Sequence, residues 1–126
     1  MKLLLDTHIY LWSVTGDKKL TKRTLEKLES ASQVYISSAS IWEAAIKIKL
    51  GKLEADLELL IEGIEKSGFL ELPVTSAHVA KLITLEDLHR DPFDRILLAQ
   101  AISEPLTFLT ADLQLKPYST LVEVIA

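Results

Sequence analysis

The chain has 126 residues, 48% of them hydrophobic and 25% charged, an ordinary balance for one globular domain that buries roughly two-thirds of its unfolded surface. Its 18 acidic and 14 basic residues leave a net charge of −4, which argues against coating nucleic acid through bulk charge but not against carboxylates gathered round a cation. The lack of cysteine excludes disulfides, zinc ribbons and thiol nucleophiles, and no apolar run approaches the roughly 20 residues of a membrane span.

The start of the chain, Met1-Lys2 and three leucines before Asp6, is too short for a secretory signal, so the cytoplasm is the expected location. Lys2–Asp6 is a short apolar run ending in a carboxylate, as expected of a buried strand. Thr7–Val14 reads as helical, with Ile9, Leu11 and Trp12 available for packing, and Trp12 is expected in the core; Gly16-Asp17 breaks it. Thr21–Ser30 is helical with Leu25 and Leu28 on its inner face, and Gln33–Ser37 has the β-branched and aromatic character of a strand. Helices are expected over Ser40–Leu50, closed by Gly51, and over Ala55–Ser67, closed by Gly68. A brief strand at Phe69–Leu72 stops at Pro73, Thr75–Leu85 is amphipathic, and Asp91–Ser103 is the most apolar helix. Strands at Leu106–Leu109 and Leu121–Ile125 complete the chain.

Strands separated by helices, without repeats or linkers, predict one α/β domain over residues 1–126 with a mostly parallel sheet. In such sheets ligands bind beyond the carboxyl ends of the strands, where the strand order reverses. Asp6 follows the first strand there, and Thr110-Ala111-Asp112 follows the fourth.

Each acid has a structural reading beside its functional one. Asp6 suits a helix N-cap for the segment from Thr7, while Thr7 itself could hydrogen-bond a carboxylate or a hydrated metal. Glu43 completes Ser40-x-x-Glu, the capping-box pattern, yet shares helical spacing with Ile46 and Leu50, a stripe on which a carboxylate wants a partner. Asp91 before Pro92 is an N-cap followed by proline at the first helical position. Asp94 heads a stripe of Leu97, Leu98 and Ala101, which solubility explains poorly and function better. Asp112 alone is an ordinary turn residue, and it gains weight only if its strand neighbours that of Asp6. Together, four carboxylates at element ends suit hard, oxygen-seeking Mg²⁺ or Mn²⁺. Lys47, Lys49 and Lys52 read either as a solvated face, with Lys47 paired to Glu43, or as contacts to an RNA backbone. His89 and Arg90 are candidate phosphate contacts, whereas His8, His78 and His89 show no metal-ligand spacing.

The segments Leu4-Leu5-Asp6-Thr7-His8, Ile36-Ser37-Ser38-Ala39-Ser40-Ile41-Trp42-Glu43, His89-Arg90-Asp91-Pro92-Phe93-Asp94-Arg95, Leu98-Ala99-Gln100-Ala101 and Leu109-Thr110-Ala111-Asp112 resemble, in order and spacing, the PIN-domain nucleases. Among these they look most like the VapC toxins of type II toxin–antitoxin pairs. The resemblance implies a three-layer α/β/α sandwich and a Mg²⁺-dependent endoribonuclease, with Mn²⁺ able to substitute, that cuts structured RNA such as tRNA or rRNA with metal-activated water. It matches Asp6, Glu43, Asp94 and Asp112 to the family's acidic quartet, with Asp91 able to contribute a further carboxylate; on the reading of the residues themselves, Thr7, Thr110 and Lys47 are auxiliary candidates. It further implies a homodimer, and a cognate antitoxin whose C-terminal segment occupies a groove beside the site. Some members carry a further acid shortly after the fourth, where this chain reads Leu113-Gln114-Leu115, so a second metal position is expected to be weak or missing. The alternatives are a PIN nuclease of general RNA processing or decay, a Mg²⁺-binding phosphoacceptor receiver domain with Lys116-Pro117 as its Lys-Pro element, and a catalytically dead binding module.

Overall fold

The computed structural model of the chain describes residues 1–86 and 91–125. Their elements run β1 (Lys2–Leu5), α1 (Thr7–Thr15), α2 (Lys22–Ser30), β2 (Gln33–Ser37), α3 (Ser38–Lys49), α4 (Leu57–Lys66), β3 (Leu70–Leu72), α5 (Ser76–Lys81), α6 (Pro92–Ser103), β4 (Thr107–Thr110) and β5 (Val122–Val124). Short 3₁₀ segments follow α5 at Leu82–Thr84 and β4 at Leu113–Tyr118. The amphipathic Thr75–Leu85 segment folds as two pieces: Thr75 caps the first through its hydroxyl, and the backbone tightens after Lys81. Gly51 and Gly68 close α3 and α4 as expected, at φ of 73° and 78°, left-handed conformations that side chains resist.

All strand pairings are parallel, and the sheet order is β3-β2-β1-β4-β5. The chain builds outward from β1 through β2 to β3, then returns to the other side of β1 for β4 and β5. The order thus reverses between β1 and β4, and their carboxyl ends open the crevice where a doubly wound sheet binds ligand. This order departs from the 2-1-3-4-5 arrangement of flavodoxin-like sheets, on which receiver domains are built, and removes that alternative.

Leu3, Leu4 and Leu5 of β1 are fully buried, as an interior strand covered on both faces requires. Because side chains alternate, Leu3 and Leu5 join Val34, Ile36, Leu109, Ile9, Tyr10 and Ile64, whereas Leu4 joins Phe108, Val122, Leu97, Leu98 and Ala101. Helices α1 and α4 supply the first core and α6 the second, so the sheet is the middle of an α/β/α sandwich.

Two packing expectations need correction. The inner face of α2 is Thr24 and Leu28, while Leu25 is 43% exposed. Thr24 lies one turn before Leu28; its N–H donates to the Thr21 hydroxyl, and the two hydroxyls share a further hydrogen bond. Ile9 is core as expected, but Trp12 is only partly buried against it.

Helix α4 approaches α1 at Gly63, where an added Cβ would come within 2.9 Å of the Tyr10 hydroxyl. That hydroxyl cannot easily yield, because it donates to the Leu60 carbonyl and its ring is buried. Gly63→Ala is therefore expected to destabilise the fold by about 1–3 kcal/mol despite alanine's better helix propensity. Urea unfolding should show most of that loss recovered in the Tyr10→Phe background, where the obstructing oxygen is gone.

Candidate active site

Asp6 occupies the N-cap position of α1, but its side chain makes no capping hydrogen bond there. Instead its Oδ2 accepts a 2.6 Å bond from the Thr110 hydroxyl at the end of β4. Its backbone N–H donates to the Leu109 carbonyl at 2.9 Å, continuing the β1–β4 ladder by one residue. The Thr110 oxygen also accepts from the Asp112 N–H at 3.1 Å, so one threonine ties both strand-end acids together across the switch point. Asp6 is only 5% exposed and Thr110 is fully buried.

Burial is the largest influence on Asp6 and raises its carboxyl above the ordinary value of 3.8. The Thr110 hydrogen bond, the neighbouring His8 and the Thr7 backbone N–H oppose this, while the negative charge of Glu43 adds to it. A buried carboxylate with a second acid close enough to disfavour its ionisation is a place where a cation would be welcome. The sign of the linkage is testable. Above pH 3.8 the unfolded chain releases this proton before the folded one does, so Asp6 lowers stability as pH rises through that window until the folded group also ionises. Asp6→Asn keeps an acceptor for Thr110 and should stabilise the metal-free protein at neutral pH, with the difference vanishing below pH 3.8 in denaturant titrations.

The capping-box reading of Glu43 fails because α3 begins two residues earlier than expected. Its N-cap is Ser37, whose hydroxyl accepts from the Ala39 N–H at 3.0 Å. Ser40 therefore lies inside the helix, and its hydroxyl accepts a buried 2.8 Å bond from Thr7. Glu43 is 7% exposed, and its carboxylate accepts a 2.8 Å bond from Lys47 one turn later. Lys49 and Lys52 are exposed.

Asp91 is a cap, as its structural reading had it. Its Oδ1 accepts from the N–H groups of Phe93 and Asp94 at 2.9 and 3.2 Å, with Pro92 at the first helical position. Asp94 is half-buried in that first turn, above the fully buried Leu97 and Leu98. The rings of Trp42 and Phe93 meet edge to face at 5.1 Å, which sets the turns bearing Glu43 and Asp94 beside each other. Asp112 caps the following 3₁₀ segment through the Gln114 N–H at 2.9 Å and lines the same cleft as Asp6. His89 and Arg90 lie outside the described residues.

The structure thus brings Asp6 together with Asp112 through Thr110, and with Glu43 through charge; Asp94 stands on the helix next to Glu43. Among the described residues no three or more His, Asp or Glu form a ready-made metal cage. The donor set nonetheless suits a Mg²⁺-like ion, which keeps several waters and is held by one or two carboxylates together with substrate phosphate. Sequence reasoning missed Ser40, which braces Thr7, and the cleft walls His8 and Trp12. The position of His8 two residues past the strand end was a usable signal.

The profile of the PIN domain family matches residues 3–120. The chain belongs to the PIN domain family. This is a nuclease family, and the all-parallel sheet with its strand-end acids is the fold expected of a member. Solved structures agree on the fold. The PIN chain is similar to one in the crystal structure of VapBC2 from Rickettsia felis bound to a promoter DNA fragment, with 19% identity, TM-score 0.72 and 98% of each chain covered. It is also similar to a chain of a toxin–antitoxin complex from Klebsiella pneumoniae, at 18% identity and TM-score 0.69, covering 97% of this chain and 96% of that one. FitAcB from Neisseria gonorrhoeae follows at 21% identity and TM-score 0.60, with 87% of each chain covered. No curated protein sequence matches the chain. Among the described residues of this PIN domain, no helix is long and apolar enough to cross a membrane.

Proposed function

We propose that this single PIN domain is a divalent-metal-dependent endoribonuclease, the toxin of a toxin–antitoxin pair, that cuts structured RNA in the cytoplasm. The observation that carries the reading is Asp6: a buried carboxylate at the switch point of the sheet, bonded to the Thr110 hydroxyl that also takes the Asp112 N–H. Asp6, Glu43, Asp94 and Asp112 are the residues that would hold Mg²⁺ or Mn²⁺. Such an ion, when bound, supplies charge stabilisation at the scissile phosphate and a lower pKa for water.

The remaining work falls to the chain itself. Thr110 fixes the Asp6 carboxylate, and Thr7 and Ser40 brace the turn that carries it. Lys47 offsets part of the Glu43 charge. Glu43 or Asp94 would orient the attacking water and take its proton. Water would then bond to phosphorus as the P–O3′ bond breaks, and the departing O3′ would take a proton from solvent, leaving a 5′-phosphate and a 3′-hydroxyl.

The toxin role draws on the likeness to a chain of the Klebsiella pneumoniae toxin–antitoxin complex and to a chain of VapBC2 from Rickettsia felis. An apolar groove of about 410 Å³ between α3, α5 and α6, lined by Trp42, Val79, Leu82, Phe93 and Ile96, offers surface for a protein partner, whether an antitoxin or a second copy. Purified chain incubated with tRNA or rRNA in Mg²⁺ or Mn²⁺ should produce discrete 5′-phosphorylated fragments. Chelation by EDTA should stop the reaction, and added Mg²⁺ should restore it. Intact RNA in both ions would reject the nuclease reading.

A further inference from the structure

A cleft of about 420 Å³ opens beside the acids, and its walls are Asp6, Asp112, Ala111, His8 and Trp12. Two of its five lining residues, His8 and Trp12, carry aromatic rings. His8 is exposed, Trp12 is half-buried, and their centroids lie 6.3 Å apart with the planes inclined by 46°. Lys19 places its ammonium 5.6 Å from the Trp12 ring. Lys18 and Lys22, also exposed, lie next to it in the sequence, in a chain whose net charge is −4. Asp17, the acid beside them in the sequence, accepts from the Lys19 backbone N–H.

Aromatic faces flanked by cations are the means by which proteins hold unpaired nucleotides, the rings taking bases and the cations taking phosphates. A core role explains one edge of Trp12 but not its place on the cleft wall, and it does not explain an exposed histidine beside it. The cleft volume suits a ligand of nucleotide size.

We infer that His8 and Trp12 form a base-stacking subsite: an unpaired nucleobase next to the scissile phosphate lies against Trp12 and His8, and its strand runs on over Lys18, Lys19 and Lys22. The inference rests on reading the adjoining acids as an RNA-cleaving centre, and it names what that centre selects, a nucleotide free of its helix. Paired bases cannot reach the rings, so the subsite favours loops and strand ends over continuous duplex.

The test separates stacking from cleavage. In an Asp6→Asn, Trp42→Phe chain, Trp12 is the sole indole and the RNA stays intact. Titration in EDTA with an adenosine hexaribonucleotide should quench its fluorescence, whereas an abasic strand of the same length and charge should not. Replacing Trp12 by Leu in the Asp6→Asn chain should weaken binding, read by anisotropy of labelled RNA, about 5- to 150-fold, the equivalent of one stacked base. His8→Ala, a change at an exposed position that spares the core, should weaken it at least about fivefold. Equal affinity for the abasic strand, or affinities within about twofold of the parent for both variants, would overturn the subsite. If wild-type chain failed to cut RNA but the base-dependent quenching appeared, the nuclease reading would fall and the stacking subsite would stand. If it cut RNA with a KM insensitive to both substitutions and no quenching, the subsite alone would fall.

Discussion

Asp6→Asn is expected to reduce RNA cleavage by roughly 10²–10⁴-fold, the loss that follows when several kcal/mol of charge stabilisation disappears from a metal-assisted step. The substitution is nearly isosteric, and the amide oxygen still accepts the Thr110 hydroxyl, so the fold should not suffer. What is lost is the negative charge at the end of β1, the one the crevice between β1 and β4 is built around. The same variant should be the more stable protein at neutral pH without metal, because the buried charge is costly there. Loss of activity together with gain of stability is the pattern of a residue kept for function. A parallel loss of both in single-turnover cleavage and urea unfolding would make Asp6 structural and remove the centre of the proposed mechanism.

Phe108→Ala is expected to cost about 3–5 kcal/mol, a large share of the 5–15 kcal/mol that holds a domain of this kind together. Phe108 is fully buried in the core that joins the sheet to α6, opposite Leu4 in the β1–β4 ladder. Its removal leaves a cavity two residues before Thr110, the residue that fixes Asp6. The effect should therefore appear twice: as a lowered urea midpoint, and as lost cleavage under conditions where the variant is still folded. Conservative Phe108→Leu should recover much of the stability. A midpoint within about 1 kcal/mol of wild type for the alanine variant would mean that the core collapses onto the vacancy, against the packing described.

Much of the site could be read before any geometry was known. Asp6 announced itself by ending a leucine run, and Asp91-Pro92 announced a capped helix start, which is what it forms. Glu43 could not be decided from its spacing. Ser40-x-x-Glu43 is a good capping box in the abstract, and only the earlier start at Ser38, capped by Ser37, shows that Ser40 is interior and Glu43 faces inward. Boundaries are set by which hydroxyl wins the first free N–H groups, and three serines within four residues offered competing solutions. Buried polar pairs were equally hidden. Gln100 is fully buried in the most apolar helix and donates toward the Leu72 carbonyl, and buried His78 binds Glu104 at 2.6 Å across α5 and α6. Each reads as a surface residue until its partner is known.

Local pattern was enough for the α/β class, the run of elements and the glycine stops, because these depend on periodicity, capping and backbone preference. Tertiary structure alone decided that β4 lies against β1, and hence that Thr110 reaches an acid 104 positions away to bind it. It also decided that α2 turns Thr24 rather than Leu25 inward, and that His8 and Trp12 stand beside the acids as cleft walls. The physical reason is common to all three: strand order and helix rotation are settled by the sum of many burial contacts between distant segments, and no local pattern carries that sum.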